Sequence, residues 1–169
     1  WIRFSVLAVA SVLSSSCVTQ IYDRTSVGRL EGDLEVRWLT NDCFLYIPSE
    51  KNPLRFTRDG ATEPLQPRRR FYTDGGSIPR VLWSMPQFSP WGYAPGYLIH
   101  DWLFEAHRCD EKQDRVTFEE SATILAEVIK TQMERNSLVR DKVAHGLIYA
   151  AVGSPIARRL WETPRACDI

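Results

Sequence analysis

Several features that mark specialised protein classes are missing from this chain. Its charges balance, with 21 Lys and Arg residues against 21 Asp and Glu residues, so the formal net charge is zero. Because nucleic-acid-binding domains usually carry a basic excess, we expect no nucleic-acid partner. The mostly apolar run from Phe4 to Leu13 is too short to cross a bilayer, which takes about 20 residues.

The four cysteines include no C-x-x-C pair, which excludes a zinc ribbon and a thioredoxin-like motif. If Cys17 carries a lipid, as the residues before it suggest, three cysteines remain for disulfide formation, namely Cys43, Cys109 and Cys167. An odd number permits at most one disulfide and leaves one thiol over. Two alternatives stay open, one disulfide among these residues or ordinary half-buried thiols, and we favour the second.

The first residues are typical of a targeting segment rather than of a folded domain. Arg3 precedes the apolar run, serines follow it, and Cys17 comes next. This order resembles a bacterial lipoprotein signal, in which Cys17 would be the lipidated first residue of the mature chain. Such signals usually place Leu three residues before the cysteine, whereas Leu13 lies four before it, so ordinary secretion and a membrane-tethered start remain alternatives. We expect a lipid-anchored protein of the bacterial cell envelope, facing the periplasm or the exterior.

A chain of 169 residues predicts one domain. We divide it into a signal segment over residues 1–16, a tether over 17–27, a single domain over 28–162 and a tail over 163–169.

The first half of the domain has the spacing of strands. Apolar residues fall largely at every second position in two sets, one of Leu30, Leu34, Val36 and Trp38 and one of Phe44, Tyr46 and Pro48. Asn41–Asp42 predicts a hairpin turn between these sets. Asp59–Gly60 predicts a second hairpin, between residues 54–56 and a run that ends at Phe71–Tyr72.

The second half has helical periodicity. We predict a helix from about Pro95 to His107, a second that begins with the capping box Thr117-x-x-Glu120 and ends near Asn136, and a third capped by Ser137. The residues expected to face the core are Phe118, Ala122, Leu125, Ile129 and Met133 in the second helix, Val143, Leu147 and Ala151 in the third, and Ile156, Leu160 and Trp161 in a last turn or two. His107 and His145 are expected at the surface. Strands followed by helices indicate an α+β fold, a small antiparallel sheet with a three-helix layer.

Two blocks carry the most specific pattern of the chain, Thr73–Arg80 (TDGGSIPR) and His100–Phe104 (HDWLF). The residues that carry the pattern are Thr73, Asp74, Ser77, Ile78, Pro79, Arg80, Trp83, Tyr97, His100, Asp101, Trp102 and Leu103. On these motifs the chain resembles the bacterial and phage family known as domain of unknown function 1353, over roughly residues 28–161. The resemblance implies a fold but no established activity.

Two positions depart from the pattern of that family. The family usually has a tyrosine where this chain has Phe104, and an Ala-Asp pair in the next helix, whose aspartate falls at Ala122 in our register. Both changes remove polar groups from one neighbourhood.

The His-Asp pair at the start of a helix is also similar to that of the secreted calcium-dependent phospholipases. By that resemblance His100 would be a general base that activates water, and Asp101 a calcium ligand. The loop from Thr73 to Ser77 would supply further oxygens, those of Asp74 among them, since calcium takes six to eight oxygen ligands. The distant aspartate that orients the histidine in those enzymes has no counterpart at the expected position, where Asp114, Glu119 or Glu120 could substitute.

Other hypotheses use the same residues. Ser77 could be a nucleophile with His100 as its base and Asp74 or Asp101 as the orienting carboxylate, or the histidine and the two aspartates could bind a transition metal. Alternatively the cluster is a structural latch, in which Asp74 and Ser77 close a turn and His100 donates a hydrogen bond to Asp74.

We favour the latch, in an uncharacterised envelope or phage-derived accessory protein that binds the membrane through its lipid and meets an envelope or phage protein. The alternative is a hydrolase that acts on a lipid or another ester, with calcium as its cofactor.

Overall fold

The computed structural model describes residues 19–40, 43–75, 92–111, 114–135 and 140–164, together with Cys167. Residues 19–24 form a helical segment, α1. The strands are β1 (Arg29–Glu31), β2 (Val36–Thr40), β3 (Cys43–Tyr46), β4 (Arg55–Thr57) and β5 (Phe71–Thr73). The further helices are α2 (Ala94–Arg108), α3 (Phe118–Arg135), α4 (Lys142–Val152) and α5 (Pro155–Glu162). Strands in the first half and helices in the second confirm the α+β class, but the described residues hold two small sheets and more helices than the three predicted.

The strands form two antiparallel sheets. One pairs β1 with β4, and in the other β3 lies between β2 and β5. The pairing of β2 with β3 runs from Val36 opposite Tyr46 to Thr40 opposite Cys43. The two strands predicted to flank the first hairpin turn are therefore neighbours, while residues 41–42 themselves lie outside the described part of the chain.

The partner predicted for the second hairpin is wrong. The chain does turn at residues 59–60, where Gly60 has a φ of +71°, a conformation that glycine adopts without strain. However, β4 pairs with β1, and β5 pairs with β3. An isolated antiparallel bridge from Phe56 to Leu65 follows the turn instead. Alternating apolar residues specify which face of a strand is buried, whereas the choice of partner depends on tertiary packing.

Helix α2 packs against both the strands and α3. Trp102, which is 1% exposed, shares a buried cluster with Tyr46 and Phe71 of the sheet. On another side of α2, a Cβ added at Gly96 would lie 3.3 Å from Oε1 of Gln132 in α3. Glycine therefore permits a close approach of the two helices. Because α2 is held from two directions, the His100–Asp101 pair near its middle has a fixed position.

Helix α3 begins and packs as the sequence predicts. The Thr117 hydroxyl accepts from the backbone N–H of Glu120, and the Glu120 carboxylate accepts from the backbone N–H of Thr117. This reciprocal pair is the capping box. All members of the predicted apolar stripe are buried, namely Phe118, Ala122, Leu125, Ile129 and Met133.

The inward face predicted for α4 is wrong by one residue, and in α5 Trp161 is buried as predicted whereas Ile156 and Leu160 are exposed. Val143 and Leu147 are 48% and 47% exposed, and Ile156 and Leu160 are 74% and 36% exposed. The buried residues are Ala144, Ile148 and Val152 in α4 and Ala157 and Trp161 in α5. The N-cap of α4 is Asp141, whose side chain accepts from the backbone N–H of Ala144. Because α4 has apolar residues on most of its circumference, its sequence does not single out one face.

His145 was predicted at the surface but is fully buried. Its Nε2 lies 3.0 Å from the carbonyl oxygen of Ala126 in α3, and its ring meets that of Tyr22 edge to face with centroids 5.0 Å apart. Tyr22 belongs to the segment predicted as a tether, yet it is 3% exposed and donates to Glu134 at 2.7 Å. Helix α1 is thus packed against α3 and α4. His107, by contrast, is exposed as predicted.

The cysteines do not follow the alternative that the sequence favoured. Cys109, just after α2, and Cys167 form a disulfide with their Cα atoms 5.2 Å apart, which ties the end of the chain to α2. Cys43 in β3 is a free thiol of intermediate exposure. One disulfide with one thiol left over is the alternative that holds.

No helix within the described ranges is long and apolar enough to cross a membrane.

Candidate functional site

The candidate site lies where the end of β5 meets the middle of α2. Thr73, the last residue of β5, is 7% exposed, and its hydroxyl donates a 2.5 Å hydrogen bond to Oδ2 of Asp101. The same hydroxyl oxygen accepts from the backbone N–H of Gly75 at 3.0 Å. Gly75 has a φ of +84°, which favours glycine. One threonine therefore fixes both the turn after β5 and the carboxylate of α2.

Asp101 is a carboxylate in an unfavourable setting. Burial raises its pKa to about 7, with a further increase from the neighbouring charge of Asp74. The hydrogen bond from Thr73 and the positive charge of Arg108 act in the opposite direction but do not cancel the effect of burial. Asp101 therefore titrates near neutral pH, where most aspartates are fully ionised.

His100 is buried beside Asp101. Its ring is 3% exposed, and burial lowers its pKa to about 4, so the imidazole is neutral at pH 7. Nδ1 lies 4.0 Å from Oδ1 of Asp101, beyond hydrogen-bonding distance. Nε2 is buried and finds no hydrogen-bond partner among the described residues. The ring packs against Phe104 with centroids 5.0 Å apart.

The three carboxylates considered as substitutes for the orienting aspartate have other partners. Asp114, whose side chain is fully buried, accepts from Nε1 of Trp102 at 2.9 Å and from Arg68. Glu119 pairs with Arg158, and Glu120 belongs to the capping box. Phe104 offers no hydrogen bond. Within the described part of the chain, no side-chain hydrogen bond orients the His100 ring.

The structure brings together some of the predicted site residues. Asp74 is exposed and close enough to Asp101 to influence its ionisation. Ser77 and Cys17 lie outside the described residues, so their predicted roles as nucleophile and lipidation site stay predictions. Over the described ranges, no group of three His, Cys, Asp or Glu side chains is placed to hold a metal ion. Asp74 and Asp101 would need oxygens from elsewhere to bind calcium.

Two features of the site were not predicted. Thr73 was assigned to a metal loop but makes the hydrogen bond that joins β5 to α2, a contact across 28 residues that local sequence signals do not encode. Glu105, one turn after Asp101, is 4% exposed and accepts from Arg108 at 2.6 Å. Its spacing of three residues from Arg108 is the signal that could have revealed this pair.

A small apolar cavity of about 20 Å³ adjoins Thr73 between the three-stranded sheet and the first half of α2. Its lining consists of Leu34, Val36, Phe44, Thr73, Gly75, Ala94, Tyr97 and Leu98. A space of this size holds about one water molecule or methyl group.

Comparison with protein families places this site in a wider group. The family described as protein of unknown function (DUF1353) matches residues 51–152, more than half of the chain. The chain belongs to this family. The matched region runs from β4 through α4 and includes both blocks singled out in the sequence. No curated protein matches the chain, and no solved structure does.

Proposed function

We propose that this member of the DUF1353 family is a bacterial envelope or phage-derived accessory protein without catalytic turnover. The observation that carries the proposal is the hydrogen bond from Thr73 to Asp101. It joins the end of the sheet to α2 at a point where His100 is buried and neutral. The His-Asp block thus serves to hold two elements together, and the protein acts by binding an envelope or phage protein.

The state of His100 argues against a general base. Such a base works best when its pKa lies near the working pH, whereas burial lowers the pKa of His100 to about 4. At 3% exposure the ring also presents almost no surface to a substrate. In the serine-protease template, loss of the residue that orients the histidine reduces the rate by about 10⁴, and none of the three alternative carboxylates contacts His100.

The disulfide supports residence outside the cytoplasm. Disulfides such as that of Cys109 with Cys167 form and persist in oxidising compartments, including the bacterial periplasm. The lipoprotein-like order of residues before Cys17 supports the same location. These two features are independent, since one lies in the targeting segment and the other joins α2 to the end of the chain.

Calorimetric titration of calcium into the full chain, beside Asp101→Asn, tests the proposal. We expect no saturable heat from either protein and no release of fatty acid when phospholipid vesicles are added. The Asn variant should fold as the wild type does, because its amide oxygen can still accept from Thr73. Saturable calcium binding that Asp101→Asn abolishes, accompanied by ester hydrolysis, would contradict the proposal.

A hydrolase that acts on a lipid or another ester is the second candidate. It is favoured by the buried Nε2 of His100, which lacks a partner among the described residues, and by the carboxylate beside it with a pKa of about 7. Perturbed titratable groups of this kind cluster at active sites. If the protein hydrolyses phospholipid, His100→Ala should remove the activity. The matched control is His107→Ala, because His107 lies on the same helix but stacks on Trp161.

A further inference from the structure

Helices α4 and α5 expose aliphatic side chains on their outer surfaces. Val143 and Leu147 lie one turn apart on α4 and are each about half exposed, at 48% and 47%. Ile156 and Leu160 are likewise one turn apart on α5, and Ile156 is 74% exposed. We call these four residues the α4–α5 surface. Aliphatic residues repeated at this spacing give each helix an apolar outer stripe in addition to its buried one.

The start of the described chain is attached beside this surface. Lys142, directly before Val143, pairs with Asp23 of α1 at 2.6 Å. Lys130 donates to the carbonyl oxygens of Tyr22 and Thr25, at 2.8 Å in each case. Together with the burial of Tyr22, these contacts hold α1 across the first turn of α4.

This attachment limits how far the domain can stand from a lipid on Cys17. Two peptide steps separate Cys17 from Thr19, and fully extended chain spans at most about 3.6 Å per residue, so the gap is about 7 Å or less. The predicted tether of residues 17–27 is therefore largely taken up by α1. A bilayer that holds the lipid must lie close to the first turn of α4.

We infer that the α4–α5 surface rests on the lipid bilayer and orients the domain there. This inference rests on the proposed lipid anchor at Cys17. A lipid chain alone holds a protein at a membrane without fixing its orientation, whereas an apolar helical face in the headgroup region adds a second contact.

The test places an environment-sensitive fluorophore at single positions of the full chain. Leu147→Cys and Ile156→Cys are made in a Cys43→Ser background, so that the introduced thiol is labelled while the Cys109–Cys167 disulfide stays intact. Tyr72→Cys is the matched control, because it is similarly exposed but lies on β5. The proteins are reconstituted in phosphatidylethanolamine–phosphatidylglycerol vesicles with and without a quencher attached to the acyl chains.

We expect quenching at Leu147 and Ile156 to exceed that at Tyr72 severalfold. Equal quenching at all three positions would overturn the inference. Quenching at Leu147 alone would overturn the part that concerns α5. If the labelled protein has the mass of a dimer in the absence of vesicles, the surface pairs two copies of the chain. This result would also overturn the inference.

Mass spectrometry of the peptide that contains Cys17 shows whether this cysteine is acylated. The measurement distinguishes a failure of the inferred surface from a failure of the lipid anchor. An acylated Cys17 with no quenching at Leu147 would overturn the α4–α5 surface and leave the anchor in place. An unmodified Cys17 would overturn the anchor. Quenching at Leu147 in a Cys17→Ser chain would then still support the surface on its own.

Discussion

The hydroxyl of Thr73 lies 2.5 Å from Oδ2 of Asp101 and joins β5 to α2. Threonine is suited to this position because its β-branched side chain favours a strand, while its hydroxyl can donate to the carboxylate and accept from Gly75 at the same time. The two bonds use the donor and one acceptor site of a single buried group. The arrangement explains why the turn begins directly after this residue.

Replacement of Thr73 by valine should lower the free energy of unfolding by about 2–3 kcal/mol, since it leaves the partly buried Asp101 carboxylate, whose side chain is 16% exposed, without its hydrogen bond. Thr73→Ser keeps the hydroxyl and should cost less than about 1 kcal/mol. Chemical denaturation of the three proteins at pH 8, where Asp101 is ionised, measures the difference. A loss for Val that is no larger than the small loss for Ser would show that the hydrogen bond to Asp101 contributes little to stability.

Asp101→Asn should change how stability depends on pH. The folded-state pKa of Asp101 is about 7 against an ordinary value of 3.8. Its contribution to stability is therefore fully present below pH 3.8 and is lost as the pH rises through 7. An asparagine stays neutral throughout. The free energy of unfolding of the variant, relative to wild type, should increase from pH 4 to pH 7 and stay constant at higher pH.

The neighbouring His100 has the opposite dependence. Its pKa falls from 6.5 to about 4 on folding, so its contribution is present above pH 6.5 and is lost as the pH falls through 4. The wild type and Asp101→Asn both contain His100. The difference between their free energies of unfolding therefore isolates the contribution of Asp101 when the two groups titrate independently. A difference that is flat from pH 4 to pH 7 would show that Asp101 has an ordinary pKa.

Local signals were sufficient for part of the fold. The capping box of Thr117 with Glu120 acts over three residues, and the stripe of α3 repeats along one helix, so both could be predicted from the sequence. In α4 the sequence predicted Ser137 as the N-cap, whereas Asp141, four residues later, caps the helix. Its burial pattern depends on the packing of α1 and α3 against it.

The candidate site was predictable in place but not in its contacts. The two blocks of sequence indicated that they lie together, and the hydrogen bond from Thr73 to Asp101 joins one residue of each block. From the sequence, the hydrogen bond between the two blocks was predicted to join His100 to Asp74. Which donor reaches a carboxylate 28 residues away depends on the direction of β5 and the rotation of α2, and neither follows from local sequence.

His145→Ala should be among the more costly substitutions in the helical layer. It removes a fully buried ring, its contact with Tyr22 and the hydrogen bond to the Ala126 carbonyl. We expect a loss of about 2–4 kcal/mol, since large-to-small changes in a core cost about that much. Leu147→Ala on the same helix is the control and should change stability by about 0.5 kcal/mol or less. A loss at His145 no greater than that at Leu147 would place the ring at the surface.

Reduction of the disulfide should lower stability without unfolding the domain. Cys109 and Cys167 are separated by 58 residues, and a link of this kind typically contributes about 2–4 kcal/mol by restricting the unfolded chain. Cys109→Ser with Cys167→Ser should lose this amount and become insensitive to dithiothreitol. Cys43→Ser should keep both the stability and the sensitivity to reductant, because Cys43 is a free thiol. If Cys43→Ser were the variant that lost its response to reductant, the disulfide would have to be reassigned to a pair that includes Cys43.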